Sequence, residues 1–69
     1  MTTAHYQVTG MTCGHCEASV REEVGDLAGV TDVQVDAGTG RLVVTADEVD
    51  DSAVLAAVVE AGYSAVRVP

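Results

Sequence analysis

Lysine is absent from this chain of 69 residues, and three arginines face eleven aspartates and glutamates, for a formal net charge of −8 at pH 7. So acidic a surface repels phosphate backbones, which excludes a nucleic-acid binder; it keeps a small protein soluble or steers it toward a locally positive partner. Cysteine is scarce too. Two residues give no disulfide framework, and a bridge between positions so close would close too short a loop to staple the fold, so stability falls to packed valines. Proline occurs once, as the terminal Pro69. No stretch approaches the roughly 20 apolar residues that span a bilayer, and Met1-Thr2-Thr3-Ala4-His5 lacks the basic start and apolar run of a secretory signal. These absences point to a cytosolic chain, where thiols stay reduced. A chain of this length has room for one domain, residues 1–69, with one thin core and no cavity suited to an enzyme.

What the chain does have is Met11-Thr12-Cys13-Gly14-His15-Cys16, which places both cysteines three positions apart. The preceding His5-Tyr6-Gln7-Val8-Thr9 alternates polar and apolar residues like a half-buried strand, and Gly10 ends it. After Cys16, apolar residues recur at Val20, Val24 and Leu27, one face of a helix that should stop near Leu27, with Gly29 suited to the left-handed residue that closes it. Cys13 then lies on a loop and Cys16 in the first helical turn, where unpartnered N–H groups and the helix dipole make a thiolate easier to form. Two soft thiolates on one short loop can grip a soft metal ion.

Further along, Thr31-Asp32-Val33-Gln34-Val35-Asp36 and Arg41-Leu42-Val43-Val44-Thr45-Ala46 read as strands joined by the turn Ala37-Gly38-Thr39-Gly40, a hairpin. Asp47-Glu48-Val49-Asp50-Asp51-Ser52 lacks the glycine and distal glutamate of a calcium loop and reads as a helix start capped by Asp50 or Asp51. Val54, Val58 and Ala61, with Leu55 beside them, mark a second buried helix face ending at Gly62, and Tyr63-Ser64-Ala65-Val66-Arg67-Val68 makes a last strand. The order strand, helix, strand, strand, helix, strand predicts an α+β, ferredoxin-like βαββαβ sandwich: a four-stranded antiparallel sheet with two helices on one face. Only the first half carries cysteines, so one site per chain follows.

From Tyr6 to Val68 the chain resembles the heavy-metal-associated domain, in particular the small bacterial copper chaperones of the CopZ type. The likeness is carried by Gly10-Met11-Thr12-Cys13-Gly14-His15-Cys16 and supported by Gly29-Val30, Val35-Asp36 and Ala61-Gly62-Tyr63. It implies a cytosolic carrier that takes Cu(I) on Cys13 and Cys16 and hands it to the metal-binding domains of a copper-exporting P-type ATPase, with a copper-sensing repressor as a further partner. The chemistry agrees. Cuprous ion prefers thiolates, whereas zinc usually takes four tetrahedral ligands and this loop offers two sulfurs and at most one nearby imidazole. Two sulfurs on an exposed loop leave the metal open to a third from another protein.

The neighbours have plain and sharp readings. Met11 is soft, but between a strand and a helix it fills core and pins the loop. His15, between the cysteines, tunes the thiolates from solvent or adds a ligand in a copper-bridged homodimer. Tyr63 packs beside the metal loop, where the family carries a lysine or tyrosine, and can shield the metal. Without lysine, the charge of a bis-thiolate copper centre is left to Tyr63, His15 and helix N–H groups. Glu17 and Arg21, four apart, read as an exposed helix pair of small value.

Two other functions compete. A thiol–disulfide redox protein also uses CxxC at a helix start, but thioredoxin-like folds are longer and place a proline opposite the disulfide. A structural zinc site from Cys13, Cys16, His15 and His5 requires His5 to face the loop, and the strand pattern turns it away.

Overall fold

The computed structural model describes residues 1–11 and 14–68. The elements are β1 (Thr2–Thr9), α1 (Gly14–Gly25), β2 (Val30–Asp36), β3 (Arg41–Ala46), α2 (Asp51–Glu60) and β4 (Ser64–Val68). The sheet order is β2-β3-β1-β4, with every neighbouring pair antiparallel. This is the expected βαββαβ arrangement.

Side-chain alternation puts one face of the sheet inside. Ala4, Tyr6 and Val8 of β1 and Leu42, Val44 and Ala46 of β3 are buried. Register sets Tyr6 opposite Leu42 and Ala4 opposite Val44, so these residues form one apolar surface. Against it lie Cys16, Val20 and Val24 of α1 and Val54, Ala57 and Val58 of α2, in a single core cluster. Both helices therefore cover the same face. No helix among the described residues is long and apolar enough to cross a membrane.

Several boundaries differ from the sequence reading. β1 begins at Thr2, ahead of the alternating stretch, because Thr2 and Thr3 pair with Ala46 and Thr45 of β3. α1 stops at Gly25 and does not run on toward Leu27. Beyond it Leu27 N–H donates to the Val24 carbonyl at 3.2 Å and Val30 N–H to the Leu27 carbonyl at 3.3 Å, a tight turn that carries the chain into β2. Gly29 is left-handed, φ +85°, but serves that turn and not the helix end. Thr31 is an extra residue in β2 between the pairs Val30–Ala46 and Asp32–Thr45, a bulge whose hydroxyl donates to the Thr45 carbonyl at 3.1 Å.

α2 is capped at both ends. Asp50 is its N-cap, its carboxylate accepting from the N–H groups of Ser52 at 3.0 Å and Ala53 at 3.4 Å. At the other end Gly62, φ +98°, donates to the Val59 carbonyl and Tyr63 N–H to the Val58 carbonyl, the paired bonds of a Schellman motif. That motif fixes where Tyr63 leaves the helix.

Candidate metal centre

β1 ends at Thr9, and Gly10 and Met11 lead toward the cysteines. Met11 is 8 % exposed and belongs to the core cluster, so it fills core just after β1. Cys13, like Thr12, lies outside the described residues. Cys16 is the third residue of α1, in the first turn as expected, but it is buried at 7 % exposure. This corrects the picture of two sulfurs on an exposed loop. Cys16 begins the run Cys16, Val20, Val24, each four residues after the last, and that stripe faces the sheet.

His15 is exposed, on the solvent side of the same turn. Tyr63 is partly buried and packed against the core cluster. Its ring lies over Gly10: a Cβ built on that glycine would stand 3.4 Å from Tyr63 Cδ1. The loop after α2 thus comes to the start of the cysteine segment, bringing Tyr63, Gly10, Met11 and Cys16 to one end of the sandwich. His5 is not brought there. It alternates with buried Ala4 and Tyr6, so its side chain faces the side of the sheet away from the helices.

Glu17 does not pair with Arg21. Its Oε2 accepts the backbone N–H of Ala37, the first residue after β2, at 2.7 Å. The two residues are 20 apart in sequence, so no local spacing rule could have found the contact. The same turn is tied to β1: Gln7 Nε2 donates to the Thr39 carbonyl and Val8 N–H to the Gly40 carbonyl, both at 2.7 Å. The strand leading into the cysteine segment and the helix leading out of it both hold the β2–β3 turn.

A second polar cluster marks the opposite end, where α2 begins. Tyr6 is fully buried, and its hydroxyl donates to Asp51 Oδ1 at 2.6 Å. Arg67 Nη1 donates to the same oxygen at 2.6 Å, with its guanidinium 5.7 Å from the Tyr6 ring centroid. Burial first, then the hydrogen bond and charge of Asp51, hold the Tyr6 phenol well above its ordinary pKa. Asp51 is held low, first by the Tyr6 hydroxyl and also by Arg67. Among the described residues Arg67–Asp51 is the ion pair, and both partners are nearly half exposed, so it adds little on its own. The cluster braces α2 against β1 and β4.

The heavy-metal-associated domain family matches residues 5–64. The chain is 44% identical over 63 residues to a zinc/cadmium/lead-transporting P-type ATPase of Shigella sonnei, which covers 91% of this chain and 9% of that protein. It thus spans about 9% of the length of the ATPases it matches. It is 39% identical over 62 residues to the copper chaperone CopZ of Enterococcus hirae, covering 87% of this chain and 90% of that one. Among solved structures it superposes on the copper-binding domain of the P-type ATPase HMA7 with a TM-score of 0.94 at 28% identity, covering 100% of this chain and 96% of the other.

Proposed function

The chain belongs to the heavy-metal-associated domain family, and on that premise we propose that it is a cytoplasmic carrier of monovalent copper. Residues 1–69 act as a single domain with no catalytic role. The thiolates of Cys13 and Cys16 hold the ion, and ligand exchange passes it to cysteine-bearing metal-binding domains of a copper-exporting P-type ATPase. The same exchange can serve a copper-sensing repressor or a copper-bridged homodimer.

The observation that supports copper over a divalent ion is the engagement of Glu17. It is the carboxylate next to Cys16, the oxygen donor a divalent ion would recruit first, and it is committed to the Ala37 N–H at 2.7 Å. His5, a second ligand a zinc site needs, faces the other side of the sheet. What remains is the Cys13 thiol, the Cys16 thiol in the first turn of α1 and the exposed imidazole of His15, a supply suited to a soft monovalent ion and short of zinc's four ligands. Met11 pins the loop, while His15 and Tyr63 adjust its polarity and shielding.

A second reading, a carrier of zinc, cadmium or lead, is favoured by the 44% identity to an ATPase that transports those ions. Competition under reducing conditions separates the two. The protein should hold cuprous ion against a cuprous chelator and release zinc to a zinc chelator of comparable strength, and a Cys13→Ser, Cys16→Ser double variant should lose copper. Tighter retention of zinc, or copper retained by the double variant, refutes the copper assignment. A redox role would show as turnover of disulfide substrates, which this carrier should lack.

A further inference from the structure

We propose that Glu17 is a positioning residue for the cysteine segment: by accepting the Ala37 N–H, its carboxylate closes a brace in which the β2–β3 turn grips both ends of that segment. The proposal rests on the metal-carrier reading but concerns the scaffold that presents the sulfurs.

The polar groups of the turn show how the brace is built. Gly38 N–H donates to Asp36 Oδ1 at 2.8 Å and Gly40 N–H to the Asp36 carbonyl at 2.8 Å, which shape the turn from within. Its remaining bonds run outward. The carbonyls of Thr39 and Gly40 accept from Gln7 and Val8, just ahead of Gly10. The N–H of Ala37 goes to Glu17, the residue after Cys16. One rigid turn therefore fixes the end of β1 relative to the start of α1, and with it the span that the cysteine segment bridges. The contact on the β1 side uses neutral groups. The contact on the α1 side is charge-assisted, partly buried and made by a single side chain, so Glu17 is the member whose removal opens the frame.

Cys16 reports on that frame. At 7 % exposure it reacts faster when the first turn of α1 lifts from the sheet, and lifting that turn breaks the neighbouring Glu17–Ala37 bond. Deleting the acceptor removes that share of the opening cost. A preorganised pair of sulfurs also holds its ion longer than a relaxed one, so the same deletion speeds loss of metal.

The test uses the full chain as Glu17→Ala and Glu17→Gln, the glutamine keeping an acceptor oxygen while losing the charge. Alkylation of Cys16 in the reduced, metal-free protein is followed by mass spectrometry that distinguishes it from Cys13. Glu17→Ala should raise the Cys16 rate about tenfold, as expected for one charge-assisted hydrogen bond, and Glu17→Gln should stay within about threefold of the parent. Transfer of bound cuprous ion to excess chelator should follow the same order. An unchanged rate in Glu17→Ala overturns the proposal, as does a Glu17→Gln that labels as fast as Glu17→Ala, since charge and not the bond would then act. So does acceleration that steepens with urea as global unfolding does, because the opening would not be local. A parent protein that cannot hold cuprous ion while labelling keeps the expected order overturns the copper reading and leaves the brace standing.

Discussion

Replacing Gly40 by alanine should be among the most damaging single-methyl changes in the molecule, and the structure gives the size of the effect. Gly40 has φ +75°, a left-handed conformation that costs an L-residue about 1–2 kcal/mol. The new Cβ would stand 2.6 Å from the Val8 carbonyl oxygen and closer still to Gln7 Nε2. Gln7 can swing away by giving up its bond to the Thr39 carbonyl. The Val8 carbonyl belongs to β1, a central strand, and cannot. Relief must come from moving the turn, which strains the 2.7 Å bond from Val8 N–H to the Gly40 carbonyl, at a further cost of about 1 kcal/mol. The total is about 2–3 kcal/mol, a large share of the stability of so small a domain. Gly25→Ala is the control. Gly25 is the last residue of α1, its φ is not left-handed and nothing lies within 4 Å of its missing Cβ, so alanine there should be neutral or stabilise by up to about 1 kcal/mol. Urea unfolding followed by circular dichroism reads both. A Gly40→Ala protein within about 1 kcal/mol of the parent at unchanged m-value would refute the close-approach argument.

The Tyr6–Asp51–Arg67 cluster makes stability depend on pH at both extremes. Asp51, held low in the folded state, contributes stability above its unfolded pKa that is lost as pH falls through its folded value, so Asp51→Asn should flatten the loss of stability below about pH 4. Tyr6, held high, contributes stability below its unfolded pKa of about 10 that is lost as pH rises toward its folded value, and Tyr6→Phe should remove that alkaline loss. Unchanged pH profiles in urea melts of both variants would show that the cluster does not couple to folding. In sedimentation the apo protein should be monomeric, and copper beyond one equivalent should drive dimers that weaken in His15→Ala; monomers at every loading would remove the bridging role. Copper should pass to an apo domain with paired cysteines faster than excess chelator strips it from the carrier alone. Transfer no faster than that loss would make the protein a copper buffer.

Much of the fold was legible because its signals are local. Alternation in β1, the β-branched runs of β2 and β3 and the glycine turn between them mark strands within a few residues, and the pair Asp50-Asp51 marks the start of α2 by its side-chain chemistry, with Asp50 the one that caps it. The boundaries shift where strand pairing and turns decide. Thr2 and Thr3 join β1 because β3 extends opposite them, and α1 ends before Leu27 because that leucine serves a turn into β2. At the site the spacing located Cys16 in the first helical turn but not its burial. The chemistry of Cys16 points to a metal ligand, while its place on the Val20–Val24 stripe points its side chain inward. The contact of Glu17 is hidden from the sequence for another reason. A good local partner, Arg21, stood four residues away, while the acceptor found a backbone N–H that only the folded sheet brings near.

That contrast bears on the metal. Identities of 44% and 39% to proteins named for different ions are spread over 63 and 62 residues, most of which build the valine core, the caps and the hairpin of a shared scaffold. Fold does not fix function; the ligands at the site do. Between Gly10 and Glu17 the potential ligands are few: two thiols, one thioether packed into the core, one exposed imidazole and one carboxylate already bonded elsewhere. A divalent ion would have to draw the missing donors from solvent, from a partner or from Glu17, and the last costs the Ala37 bond. A monovalent soft ion needs none of them. Its centre with two thiolates also carries a single negative charge, small against the −8 already spread over the chain.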